Sequence, residues 1–241
     1  MAEDSRPGAG LRVRALTFDT GGTILDWHGG ISRAFAVAGA KRGLAADWHA
    51  VTNDYRRRSL KAIVGQVQPD FTFDDVHRRV LDEVIAAHGL DALDAADRDA
   101  IWRTWHALDA WPGFAPALAR LKARYVVASF TLLTTSLVID VSRRNGFVWD
   151  AIVSCEMIGH YKTRPEAYRT AARWLQLDPA EILMVACHNF DLDAARACGY
   201  RTAFVRRPDE WGPAGPPDPE PNPAVDIVAA DFDELARALN A

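Results

Sequence analysis

The stretch Val13-Arg14-Ala15-Leu16-Thr17-Phe18-Asp19-Thr20-Gly21-Gly22-Thr23 decides the fold. Its apolar half, 13–18, is too short for a helix and reads as a buried strand. The two glycines that follow mark a tight turn. Asp19 therefore sits where a strand ends and the chain reverses. A carboxylate there has two readings. It is a turn aspartate, common after strands, or an exposed nucleophile able to form a covalent ester or acyl phosphate.

Outward from this point the chain has two textures. From about Ile31 to Ala107 the apolar spacing is helical, over 31–43, 47–64, 74–88 and 95–107. Gly43, Gly65 with Pro69, and Gly89 punctuate it, and no strand pattern interrupts it. From Trp111 helices and strands alternate. Helices are expected over 113–123, 134–145, 164–176, 191–198 and 231–239. Strands are expected over 125–129, 151–154, 182–186, 202–205 and 226–229. Such alternation implies right-handed βαβ units and a parallel sheet. The fold class is thus α/β, with a Rossmann-like parallel-sheet core and an inserted all-helical domain. The core is expected over 11–28 and 111–241, the insert over 29–110, and a flexible tail over 1–10. The Pro-rich run 213–223 reads as a surface loop.

Ligands of an open α/β sheet bind at the carboxyl ends of the strands. Four polar groups fall at such ends: Asp19, Ser129, the Lys162 loop and His188 to Asp191. Lys162 could pair with Asp19 and keep it ionised, or be a solvated loop lysine. Ser129 could bond a substrate anion, or cap the next helix. Asp191 could anchor Lys162 or position water, and could equally cap the helix from Leu192 to Cys198. His188 either lines the pocket or packs beneath it.

Composition narrows the functional class. The 241 residues are 49% hydrophobic and 25% charged, with a formal net charge of −4. That is ordinary globular usage and lacks the basic excess of a nucleic-acid or membrane surface. No apolar run spans a bilayer. The first residues carry no signal-peptide core. Cys155, Cys187 and Cys198 are odd in number, which suits free thiols in a reducing compartment. A cytoplasmic protein acting on a small molecule is the expectation.

Four motifs make the resemblance specific. They are Phe18-Asp19-Thr20-Gly21-Gly22-Thr23-Ile24-Leu25-Asp26-Trp27, Ala128-Ser129-Phe130-Thr131, Gly159-His160-Tyr161-Lys162 with Pro165-Glu166-Ala167-Tyr168, and Met184-Val185-Ala186-Cys187-His188-Asn189-Phe190-Asp191. In order and spacing they resemble the haloacid dehalogenase superfamily, and within it the L-2-haloacid dehalogenase branch. The match runs over roughly 11–240, and the helical insert resembles that family's cap.

The resemblance implies a mechanism. Asp19 displaces halide from a 2-haloacid, and water then attacks the ester carbonyl to release a 2-hydroxy acid. Lys162, Thr23, Ser129 and Asp191 match the family's active-site positions, and Thr20, Gly21, Phe130 and His188 are assigned to substrate contact. A cap arginine binds halide in the family, and alignment of Arg-Ser-Leu selects Arg58. Family members are often homodimers.

Position 21 separates the subclasses. Phosphatases of the superfamily carry a second aspartate there, as general acid and as part of a magnesium site. Halide leaves without a proton, so Gly21 argues for carbon–halogen cleavage with no cofactor and no required metal. Dehalogenases usually place Tyr or Phe at Gly21, Asn at Phe130, and Ser and Asn at Ala186 and His188. The pattern Ala-X-His-Asn-X-Asp resembles a branch that accepts small fluorinated acids. Phe130 is expected to refill the space left at Gly21. The altered positions keep three other readings open: opening of a small strained ring by the same displacement, a magnesium-dependent phosphatase, and a non-catalytic binding module.

Overall fold

A computed structural model describes residues 12–241; the tail expected over 1–10 lies outside the described residues. Six parallel strands form one sheet in the order β3-β2-β1-β4-β5-β6. They are β1 (Ala15–Phe18), β2 (Val126–Thr131), β3 (Ala151–Ser154), β4 (Ile182–Ala186), β5 (Arg201–Val205) and β6 (Ile227–Ala229). Strands β1 and β4 are buried at every residue. Helices cover both faces of a parallel sheet, so its central strands run as unbroken apolar segments.

Chain order reverses at β1, which pairs with β2 on one side and β4 on the other. The crevice at the carboxyl ends of these three strands is the expected ligand site. Asp19 follows β1 directly, and its backbone N–H donates to the Val185 carbonyl of β4 at 2.9 Å.

The insert is helical. It holds α1 (Trp27–Lys41), α2 (Trp48–Ile63), α3 (Phe73–Ala87), α4 (Ala95–Arg103) and a 3-10 turn, Thr104–Ala107. Local chemistry fixes the ends of these helices. Thr72 with Asp75, and Asp94 with Asp97, form reciprocal capping boxes at α3 and α4. Inside, Tyr55 donates to the His77 carbonyl at 2.7 Å and accepts from Trp105 Nε1 at 3.2 Å. The His77 ring stacks between Phe73 and Trp105, with centroids at 4.2 and 4.0 Å. Burial holds that imidazole well below its usual range. The two crossings between insert and core run side by side, with Leu25 bridging Ala110 antiparallel.

The core helices are α5 (Phe114–Lys122), α6 (Thr135–Asn145), α7 (Cys155–Ile158), α8 (Pro165–Leu175), α9 (Asn189–Ala197) and α10 (Phe232–Ala238). Thr134 caps α6, Gly146 ends it in the left-handed region, and Pro165 opens α8. The one-turn helix α7 was too short for periodicity to reveal.

Beneath the sheet, Phe114 packs on Phe18, Phe147, Trp149 and Phe232 at 4.6 to 5.8 Å between centroids. Phe114 is wholly buried. Phe114→Ala should therefore lower the unfolding free energy by about 3–5 kcal/mol in a denaturant titration. A loss under about 1 kcal/mol would contradict this packing.

Candidate active site

The four segments singled out by sequence do converge. Asp19 is 6% exposed. Its Oδ2 accepts from Thr23 Oγ1 at 2.8 Å and lies 3.3 Å from His188 Nδ1, while Oδ1 lies 3.4 Å from Lys162 Nζ. Burial alone would raise this carboxyl. Lys162 overcomes that, with His188 and Thr23 adding to it, and the carboxyl is held well below its ordinary range. The result is a buried carboxylate that stays ionised.

Lys162 is 1% exposed and its three protons have three acceptors. These are Asp19, Asp191 Oδ2 at 2.8 Å and the Phe130 carbonyl at 2.8 Å. Burial would lower the ammonium's pKa, but Asp191 and Asp19 raise it. Asp191 is bound through both oxygens, since Tyr168 donates to Oδ1 at 2.6 Å. Burial pushes Asp191 upward. Asp191 does not cap α9: that helix begins at Asn189, and Asp191 lies wholly buried in its first turn.

His188 bridges two carboxylates. Opposite Asp19, its Nε2 lies 3.0 Å from Glu210 Oε1. Trp27 Nε1 also donates to that oxygen, at 2.9 Å. Burial disfavours the imidazolium, yet Cys187, Glu210 and Asp19 together raise His188 well above its usual value. Burial would raise Glu210 as well, but His188, Trp27 and Arg56 lower it. Gly22 makes this approach possible. Its φ is +99°, and a Cβ there would collide with the Glu210 carboxylate.

The insert supplies Arg56, not Arg58. Arg58 sits on the outer face of α2, bonded to Asp54 at 3.0 Å with its side chain 41% exposed. Arg56 is 3% exposed. Its Nη2 donates to the Gly21 carbonyl at 3.2 Å, and its guanidinium lies over Trp27 and Trp105 at 5.3 and 5.6 Å. Its Nε and Nη1 are buried without a protein partner among the described residues. Helical spacing carried a signal for this. Thr52, Arg56, Ser59 and Ile63 form the buried stripe of α2, and Arg58 falls off it.

Two further expectations are corrected. Phe130 does not refill the space at Gly21. A Cβ at Gly21 would first meet Arg56 Nη2 at 3.3 Å and then Leu133 at 3.8 Å. The Phe130 ring instead packs 4.5 Å from Lys162 Nζ and 5.3 Å from the Tyr168 ring. Ser129 neither ends its strand nor caps α6. Its hydroxyl pairs with that of Thr20 at 2.8 Å. Sequence reasoning also missed Glu210 and Trp211, which follow β5. The Trp211 ring packs edge-on against Trp27 at 5.0 Å, and its carbonyl accepts from Asn53 at 3.1 Å. The same strand-end rule that marked Asp19 marks this loop.

The donor set does not suit magnesium, a hard ion that needs oxygen ligands. Gly21 offers no side chain, Asp191 is bound by Lys162 and Tyr168, and Asp193 pairs with Arg196 and Asn222. The donor atoms of Cys187, His188 and Glu210 lie within 4.8 Å of one another. They already satisfy one another and Trp27, so we read them as a hydrogen-bonded cluster rather than ligands.

The family model for haloacid dehalogenase-like hydrolases matches residues 13–199. The chain is 38% identical to a defluorinating L-2-haloacid dehalogenase of known structure, with a TM-score of 0.88 over 98% of each chain. It is 34% identical to a second L-2-haloacid dehalogenase structure, with a TM-score of 0.86 over 95% of this chain and 99% of that one. It is 27% identical to (S)-2-haloacid dehalogenase 4A of Burkholderia cepacia, over 81% of this chain and 84% of the relative. Phosphatases also occur among the relatives, at 22–24% identity. The chain belongs to the haloacid dehalogenase-like hydrolases, and it is a hydrolase.

The site's electrostatics set a pH dependence. His188 binds its proton more tightly folded than unfolded, so its contribution to stability is complete below the ordinary value of 6.5 and declines as pH rises toward the folded value. Unfolding free energy should therefore fall as pH rises above about 6.5 in the wild type, and fall less in His188→Gln. Denaturant titrations at three pH values check this, and equal slopes in the two proteins would contradict it.

Proposed function

We propose that this hydrolase cleaves the carbon–halogen bond of small 2-haloacids of S configuration, through an ester on Asp19, and releases the 2-hydroxy acid. One observation carries the reading. The buried Arg56 guanidinium, with Nε and Nη1 unpartnered among the described residues, stands beside Gly21 at the mouth of a sheet whose nucleophile is an ionised carboxylate. Carboxylate and unpartnered cation supply what displacement needs: an electron-rich oxygen and a receptor for the departing anion.

The other residues take their roles from position. Lys162 keeps Asp19 ionised, and Asp191, Tyr168 and the Phe130 carbonyl hold Lys162 in place. Thr23 fixes the Asp19 carboxylate through Oδ2. The paired hydroxyls of Ser129 and Thr20 contact substrate. Gly21 has two effects. It leaves no acid for a leaving oxygen, which disfavours phosphate esters, and it leaves room for Arg56. The guanidinium and Leu133 then fill what a larger side chain would occupy, so the substrate is short. Likeness to a defluorinating relative at 38% identity supports fluorinated acids among the substrates.

No described helix is long and apolar enough to cross a membrane. All three cysteines are free, and we assign the protein to the cytoplasm.

Halide release from chloro-, bromo- and fluoroacetate and from (S)-2-chloropropionate, without added metal, tests the reading. Asp19→Asn should abolish release. Arg56→Ala should lower kcat/KM by about 10²-fold, the loss of a charge-assisted anion contact. Arg58→Ala should stay within about twofold, as an exposed pair predicts. No halide from any of these acids, or a larger loss at Arg58 than at Arg56, would overturn it.

A further inference from the structure

Ester hydrolysis on Asp19 needs a base for the attacking water, and the structure leaves few groups free. Asp191 has both oxygens engaged, by Lys162 and Tyr168. Lys162 is a cation with three acceptors. Ala186 offers no polar atom. His188 faces Asp19 directly, at 3.3 Å from Oδ2, and unlike Lys162 it can give up its proton and remain paired through its other nitrogen. Its other nitrogen is held by Glu210 at 3.0 Å, and Glu210 is itself oriented by Trp27 at 2.9 Å. A carboxylate on one ring nitrogen fixes the tautomer and directs the other nitrogen's lone pair outward. Here that other nitrogen, Nδ1, faces the carboxyl group that becomes the ester.

We propose that His188 is the general base for hydrolysis of the Asp19 ester, with Glu210 as its positioning residue. This rests on the ester reading above. At rest the imidazolium donates to both Asp19 and Glu210. The Asp19 oxygen forms a bond to the halogen-bearing carbon, and halide leaves with the electron pair of the broken bond. Asp19 thereby loses its charge. The Nδ1 proton loses its anionic acceptor and passes to solvent. Water then adds to the Asp19 Cγ and gives a proton to Nδ1. The tetrahedral adduct collapses, the bond from Cγ to the substrate oxygen breaks, and that oxygen takes the proton from Nδ1. The Asp19 acid returns its proton to Nδ1 and restores the resting pair. The sum is haloacid plus water to hydroxy acid, halide and one proton.

The switch from acid to base is built into the surroundings. His188 faces Asp19 at the end of β1, Cys187 beside it in the chain and Glu210 from the loop after β5. The cations Lys162 and Arg56 stand behind Asp19 and Glu210. Alkylation removes one of the anions that hold the imidazole's proton and leaves those cations in place. The same side chain that holds a proton while Asp19 is charged is thus released to accept one when Asp19 is an ester.

Rapid-quench mixing with excess bromoacetate, followed by mass spectrometry of the Asp19 peptide, separates the two half-reactions. His188→Gln should release about one halide per site at near wild-type rate. It should then stall with an alkylated Asp19, and steady turnover should fall about 10²-fold or more, the usual contribution of a general base. Glu210→Gln should accumulate the same adduct and displace the pH limb of the hydrolysis step, a change that loosened packing alone would not produce. Wild-type turnover in both variants, or a halide burst lost in folded His188→Gln, would overturn the assignment. Absence of any halide from the wild type would overturn the ester reading instead.

Discussion

The buried carboxylate of Asp19 is the constraint on which the rest depends. An ionised carboxyl removed from water is tolerated only when charge and hydrogen bonds replace its solvation. Here Lys162 does so on one oxygen, and Thr23 with His188 on the other. Each of those partners then needs its own compensation. Lys162 requires Asp191 and the Phe130 carbonyl, Asp191 requires Tyr168, and His188 requires Glu210. Arg56 adds a third cation against three carboxylates, so the cluster closes near neutrality. Removing one member leaves a neighbour uncompensated, at a cost of about 3–5 kcal/mol for a buried pair.

The topology explains why these groups meet. Chain reversal at β1 opens a crevice between β2 and β4, and each element that lines it ends there. The insert and the loop after β5 then close over the crevice from the other side. Arg56 comes from the insert and donates to the Gly21 carbonyl, and Glu210 comes from the loop and reaches the turn because position 22 is glycine. One dipeptide thus serves two purposes. It turns the chain after the nucleophile, and it clears space for the cation and the anion that flank the reaction.

The sequence made the core legible where the signal is local. Short apolar runs between glycines and polar turns located every strand, and 3.6-residue spacing located every helix longer than one turn. Asp19, Lys162 and Asp191 were legible because each follows a strand in an alternating pattern. Residues brought in from elsewhere were less so. Arg56, Arg57 and Arg58 are chemically alike, and only their phase on α2 separates the buried one from its exposed neighbours. Phe130 was misjudged because strand alternation directs it away from Gly21. Glu210 and Trp211 lie between the strand expected over 202–205 and the Pro-rich run 213–223, among prolines and charges with no periodic signal. Their burial arises from contact with Trp27 and His188, which are distant in sequence.

A single turnover in oxygen-18 water most directly tests the covalent role of Asp19. With enzyme in excess over substrate, water attacks the Asp19 carbonyl and the product carries away the oxygen that formed the ester. Label should therefore appear in the Asp19 peptide and be absent from the hydroxy acid of that first turnover. Label found in the hydroxy acid, with an unlabelled Asp19 peptide, would mean that water attacks the substrate carbon directly and that Asp19 is not the nucleophile.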